Sequence, residues 1–594
     1  MTTSITQPVA TSSTEERIQT LLFGDGLVGF HHRPIGVPRT CGIVLCPTHG
    51  EEGLCAYWAY RTLARRLAVA GFHCLRFDPH GTGDSRGDDR SPERVAAWLS
   101  SIDSAVDVLR ARSGVAEISL FGMRIGGTLA TQAASRRDDI ASLVLWSPCT
   151  TGRVYLRELH ALQMMLTGTE FTDKVVAGVK NEGDVEAAGF LFSAETVADL
   201  RALKPFTSAR RPAPRILVIG RDTLPLDTAL LDGLRATGAA VDTREADGYA
   251  GIMVARHEAV LPEAVLGEVT RWLSATHPER AQLSEAVSPE ATSVLAGDGW
   301  QETLIQLGPD RSLIGVLTEA APPTGGDRPP IILINMGSNH RVGCNNLHVT
   351  MARTWAAAGF PVLRFDLAGL GDSAPRAGTA ENVCYPPRAL DDIRAAVAYF
   401  VQRDKRGVVL LGLCAGAYHA FKATVELPGV RAAILINTLT FNYVEGQLDA
   451  GGRSRQTNVN DVAYYRKALF RKATWLKLLE GNLAPRRALT AIAKRVATLV
   501  EDRAREALGR GNAGSVGREL ERLVDRGTHV AMIYADEDPG IDLLDSVAGR
   551  SLARLERHPS FVLHKIVGAD HTFTPLWSQH ELITFLTGYL ESRF

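Results

Sequence analysis

Two spacings of apolar residues recur along the chain. Short runs dominated by Val, Ile and Leu fall at 42–46, 73–77, 117–121, 141–146 and 215–219, and again at 330–335, 361–365, 407–411, 431–436, 529–534 and 561–567. Between them lie helix-length stretches whose apolar positions are spaced three and four apart. A strand that is apolar at every position keeps neither face in water, so these runs predict parallel sheets covered on both sides by helices. The fold class expected is α/β.

The pattern occurs twice. Ala70-Gly71-Phe72 leads through Leu75-Arg76-Phe77-Asp78 to Gly81-Thr82-Gly83-Asp84-Ser85, and Ala358-Gly359-Phe360 leads through Leu363-Arg364-Phe365-Asp366 to Gly369-Leu370-Gly371-Asp372-Ser373. Identical elements in one order mark a duplicated domain, and 594 residues exceed what one core usually organises. The expected units are 1–280 and 293–594. Their boundary falls in 276–292, where Pro278, Ser284, Ser288, Pro289 and Thr292 interrupt any regular element. Each unit carries an insertion placed to cap its site, at about 147–214 and about 438–527, both expected to be mostly helical.

Composition narrows the function classes. Apolar residues make up 45% and the net charge is -1, which suits a folded soluble protein and argues against a dedicated nucleic-acid binder. Residues 1–14 are rich in Ser and Thr and lack the basic-then-apolar order of a signal peptide, and no apolar stretch is long enough to span a membrane. The eight cysteines are scattered and form neither a disulfide framework nor a zinc spacing. A cytoplasmic protein with no metal and no cofactor is expected. The two Gly-x-Gly segments lack the spacing and the lysine of a phosphate cradle.

Chemistry concentrates in Gly412-Leu413-Cys414-Ala415-Gly416, where a strand runs into a helix. Glycines on either side allow the sharp turn of a nucleophile elbow, and the helix N-terminus favours a thiolate. Downstream, Asp536-Glu537-Asp538-Pro539-Gly540 follows a strand and His571 follows another. His571 is the expected base, and Asp538 its orienting acid with Asp536 as runner-up. Asp570 is expected to shape the histidine loop. The oxyanion donors expected are the backbone N–H of Ala415 and of either Met336 or Ser338, in the turn made possible by Gly337.

The first unit departs from this set. Arg124 stands at its elbow, Asp222 is read as its acid and Gly248 as the position opposite His571. A guanidinium is permanently protonated and cannot act as nucleophile. Arg124 and Asp222 are candidates to pair with each other in a blocked pocket. His49 and His257 are read as loop hydrogen-bonding residues.

With these motifs the chain resembles the α/β-hydrolase superfamily over nearly all of both units, particularly serine-aminopeptidase-like and exosortase-associated hydrolases. Most members of that superfamily use serine where this chain has Cys414, although cysteine variants with a Cys-His-Asp centre exist, as in dienelactone hydrolases. The resemblance implies thioester, ester or lactone chemistry through a Cys414 acyl-enzyme, released to water or to another acceptor. The alternative is a non-catalytic hydrolase-like protein that binds a small ester or a protein partner. Residues 451–525 hold 16 Lys/Arg against 8 Asp/Glu, with Arg486 and Arg487 among them. That excess suggests a surface for an acidic acyl-carrier protein delivering a thioester.

Overall fold

A computed structural model describes residues 18–167, 176, 178–204, 206, 210–222, 224–280, 294–322, 327–402, 406–443, 515–536, 538–549 and 551–594. The apolar runs are strands. In the first unit they are β1 (Ile18–Phe23), β2 (Leu27–His32), β3 (Cys41–Cys46), β4 (His73–Phe77), β5 (Glu117–Met123), β6 (Ile140–Trp146), β7 (Val185–Ala187), β8 (Phe190–Phe192), β9 (Arg215–Ile219) and β10 (Ala240–Arg244). In the second they are β11 (Val294–Ala296), β12 (Trp300–Leu307), β13 (Leu313–Ala320), β14 (Ile331–Ile334), β15 (Val362–Phe365), β16 (Val408–Leu413), β17 (Val430–Ile436), β18 (His529–Ala535) and β19 (Phe561–Ile566).

Two sheets result, in the orders β1-β2-β4-β3-β5-β6-β9-β10 and β11-β12-β13-β15-β14-β16-β17-β18-β19. The pairings from β4 to β10 and from β15 to β19 are parallel, with an antiparallel margin at β1–β2 or β11–β13. Both units are therefore of the α/β-hydrolase type. The central strands are buried on both faces: β3, β14 and β16 have no exposed residue. The chain enters each parallel layer at β3 or β14, builds one neighbour to the left and continues to the right. The carboxyl ends at that reversal form the crevice where α/β sheets place their ligands.

The antiparallel margins went unread in the sequence because their alternation is imperfect. β1 is buried at two of its last three positions only, and β12 is half-exposed along most of its length. The first insertion is also less helical than expected. It holds helices Gly152–Thr167 and Ala194–Ala202, with the small antiparallel pair β7–β8 between them. Most of the second insertion, including Arg486 and Arg487, lies outside the described residues, as does most of the expected boundary. Among the described residues no helix is long and apolar enough to cross a membrane.

The repeated Arg-Phe-Asp and Gly-x-Gly-Asp-Ser elements meet at the seam between units, and they cross. Arg76 of the first unit pairs with Asp372 of the second at 2.6 Å, and its counterpart Arg364 pairs with Asp84 at 2.5 Å. Inside each unit the serine holds the same bonds: Ser85 Oγ donates to Asp78 O and accepts from Val28 N, as Ser373 Oγ does with Asp366 O and Ile314 N. Arg341 lies buried at the centre of the crossing, 2.6–2.7 Å from Asp84, Asp366 and Asp372. Tyr57 adds a bond to Asp372 at 2.5 Å.

Candidate active site

Cys414 ends β16 and caps the helix Ala415–Glu426 with φ 56° and ψ -117°. That strained conformation is unusual for a residue with a Cβ, and two small neighbours permit it. A Cβ at Gly412 would overlap the carbonyl of Gly416, and one at Gly416 would lie 2.7 Å from Asn335 O. Only glycine at both positions lets the turn close against the loop after β14. The thiol is thereby lifted to the carboxyl edge of the sheet, beside the first N–H of the helix at Ala415, which has no intrahelical acceptor.

His571 Nδ1 lies 2.5 Å from Asp538 Oδ2. Asp538 is buried, and its other oxygen accepts from Gly540 N at 2.8 Å, so the carboxylate is fixed by the turn that starts the helix Pro539–Ala548. Asp536 is spent elsewhere, accepting from Gly568 N at 2.8 Å. Asp570 accepts from Thr574 N at 2.6 Å and from the hydroxyls of Thr572 and Thr574, which closes the histidine loop on itself. His571 Nε2 is buried and makes no hydrogen bond of ordinary geometry. Burial opposes charge on this ring, but its interactions with Cys414 and then with Asp538 outweigh burial and raise the imidazole to about 10.

Of the oxyanion candidates, Met336 is buried in the loop after β14 and its carbonyl accepts from Asn339 N at 3.0 Å. Ser338 Oγ donates to Asn382 O at 2.9 Å and lies 3.7 Å from Cys384 Sγ. Gly337 takes φ 54° between them.

Three further residues at the site have no signature in the sequence. Cys384 and Tyr385 precede the helix Ala389–Val401 and lie close enough to Cys414 for charge there to act on both. Burial pushes the Cys384 thiol up to about 11, with charge on Cys414 adding to it, and the Tyr385 phenol is raised by the same two causes. Asn437, fully buried at the end of β17, donates to His571 O at 2.7 Å and accepts from Ala535 N at 2.9 Å. It ties the nucleophile's neighbour strand to the acid strand and the histidine loop at once.

In the first unit Arg124 reproduces the elbow, with φ 53° and ψ -127°. The rest of the sequence-based alignment needs correction. Ile219 pairs beside Trp146 as Ile533 pairs beside Ile436, so counting onward places Asp222 opposite Asp536, and Leu224 opposite Asp538. Likewise Gly248 falls opposite Gly568, and Gly251 opposite His571. The hydrogen bonds agree: Asp222 accepts from Gly248 N at 2.8 Å as Asp536 does from Gly568 N. Asp222 is thus a loop latch, and the positions corresponding to Cys414, Asp538 and His571 all hold other residues in this unit. Nor does Arg124 pair with Asp222; it is held by Glu52 at 2.9 Å and by Glu158. His49 is buried against Trp98, and His257 is exposed in a short turn.

Among the described residues Cys41, Glu117 and His277 come within 4.8 Å of one another in the arrangement nearest to a metal-ligand set. All three are engaged: His277 with Glu117, Ser119 and Ser142, and Cys41 with Ser119.

Residues 43–217 match the family model described as serine aminopeptidase, S33, and residues 347–583 match that of the alpha/beta hydrolase family. No curated protein sequence matches the chain. Similar solved structures include Est1E from Butyrivibrio proteoclasticus with bound ferulic acid, at 17% identity over 42% of this chain and 95% of that one, TM-score 0.31. XC6422 from Xanthomonas campestris, titled an a/b serine hydrolase without lid, has 15% identity over 45% and 94%, TM-score 0.28. Brefeldin A esterase, titled a bacterial homologue of human hormone sensitive lipase, has 20% identity over 46% and 80%, TM-score 0.31.

Proposed function

We propose, from the premise that both regions of this chain are of the α/β-hydrolase type, that the second is a cysteine-dependent acyl-transfer enzyme and the first is not catalytic. The observation that carries the reading is the strained Cys414 elbow facing a His571 ring held 2.5 Å from Asp538. Sγ of Cys414 attacks the carbonyl carbon of a thioester or ester, and the tetrahedral oxyanion is held by the Ala415 N–H and a donor from the loop 336–338. As the C–S bond to the enzyme persists and the bond to the leaving group breaks, His571 gives its proton to the departing thiol or alcohol. Water, an alcohol or an amine then attacks the acyl-enzyme, His571 takes the incoming proton, and the thiolate is restored. Asp538 keeps Nδ1 engaged so that Nε2 faces the reaction throughout.

Intact-mass measurement after exposure to an activated acyl thioester tests this. The expected result is one acyl adduct on the wild-type chain, none on Cys414→Ala, and slow loading of Cys414→Ser, because a hydroxyl in a site tuned for a thiolate is the weaker nucleophile. Equal loading of wild type and Cys414→Ala removes the proposal.

A further inference from the structure

The first unit has lost its nucleophile without losing the space above it. A cavity of about 670 Å³ lies over Arg124, the elbow residue, and falls within the size range of small-molecule sites. Leu159 and Leu162 from the helix Gly152–Thr167 line one side, and Tyr249 and Met253 line another. Met336 and Thr572 of the second unit close it.

Three guanidiniums and three of the four carboxylates lining the cavity pair with one another. Arg124 is shared by Glu52 and Glu158, Arg221 lies 3.4 Å from Glu158, and Arg256 lies 2.5 Å from Glu51. The fourth carboxylate of the lining, Asp570, accepts from Thr572 and Thr574, so an entering anion or amine meets charges that already have partners and gains little to offset its desolvation. Polar capacity does remain. Asn339 and Arg256 line this cavity, and each carries one buried polar atom without a hydrogen-bond partner, the acceptor Asn339 Oδ1 and the donor Arg256 Nε. Buried groups of this kind carry a cost that a ligand's hydroxyl or amide can relieve.

We infer that the cavity is a binding site for a neutral molecule with a mainly apolar body and a hydroxyl or amide group. Its wall is also the histidine loop of the other unit. Cys344 Sγ donates to Thr572 O at 3.3 Å, Leu576 N donates to Glu186 Oε1 at 2.9 Å, and Gln579 Nε2 donates to Gly189 O at 3.0 Å, the last two acceptors lying in the β7–β8 segment of the first unit. An occupant therefore touches Thr572, one residue from His571. Binding stands apart from the Cys414 chemistry, whereas any change in turnover on binding rests on it.

The test uses the full chain carrying Cys414→Ala, so that loss of binding and failure of the acyl-transfer reading stay separate. Decanamide is titrated by calorimetry against decanoate and decylamine as charged probes of equal length. Saturable decanamide binding is expected, at least about tenfold tighter than either charged probe, and weakened at least about tenfold by Leu162→Trp and by Met253→Trp, which fill the cavity from different sides. Near-ultraviolet circular dichroism identifies a filled variant that has kept its fold, and the comparison uses that variant. Absent decanamide binding, equal affinity for decanoate, or unchanged affinity in a folded filled variant overturns the inference.

Discussion

The charge on one ring sets the pH behaviour expected of the site. His571 is held at about 10, well above the roughly 6.5 of a free imidazole, because charge on Cys414 and the Asp538 carboxylate together outweigh its burial. A ring raised in the folded state contributes stability that is fully present below about pH 6.5 and is lost as pH rises through about 10. Cys414→Ala removes the largest favourable contribution, so the NMR titration midpoint of His571 should fall well below the wild-type value, and Asp538→Asn should lower it as well. Asp536→Asn should leave it in place, since that carboxylate serves Gly568 N. An unmoved midpoint in Cys414→Ala would show that the thiol does not face the ring. Glycine spacing and chain order single out Cys414 and His571 as candidates. The sequence favours Asp538 over its neighbour Asp536, and it is Asp538 that lies against His571 Nδ1. Tyr385 and Asn437 come to the site from segments with no motif of their own, and the sequence places Asp222 and Gly248 a few residues out because it cannot count from the strand ends that the pairing defines.

Elements make the elbow possible, and its tolerance should be narrow. A Cβ at Gly416 would press on Asn335 O and Ile334 O at 2.7 and 2.9 Å, both backbone atoms of the sheet's central strand and its loop. Gly416→Ala is expected to cost about 1–3 kcal/mol of stability by denaturant unfolding, as overpacking does. It should also slow acyl loading more than about tenfold by moving Cys414. Gly588, in the helix Leu576–Arg593, has nothing within 4 Å of the corresponding point, and Gly588→Ala should stabilise by up to about 1 kcal/mol. Comparable destabilisation at both glycines would undo the argument. Element type was readable where burial is two-sided, as in β3, β14, β16 and β18. It was not readable at β1, β11 and β12, whose pairing partners, rather than their own composition, hold them as strands.

Across the whole molecule, the crossed ion pairs make the seam a source of acid sensitivity. Burial by itself would raise Asp84, but Arg341 and Arg364 bring it down to about 2, and Arg76 and Arg341 hold Asp372 lower still. Depressed carboxylates stabilise the fold above about pH 4, and that contribution is lost as pH falls toward 2. Burial raises Asp78 and Asp366, which offsets part of it. Arg341→Met leaves three buried aspartates short of a cation and is expected to cost about 3–5 kcal/mol, with the acid midpoint of tryptophan fluorescence moving upward. Adding Asp84→Asn should recover part of the loss; no recovery would mean that Arg341 acts through packing alone. The same crossing has a bearing on dosage. Two separate polypeptides joined by such pairs would come apart on dilution, whereas here each face meets its mate at an effective concentration set by the connecting chain. Pairing is then independent of how much protein a cell makes. Because only one copy of each face exists, a single Arg341 can serve Asp84 of one unit and Asp366 and Asp372 of the other, where a homodimer would have to accommodate two guanidiniums.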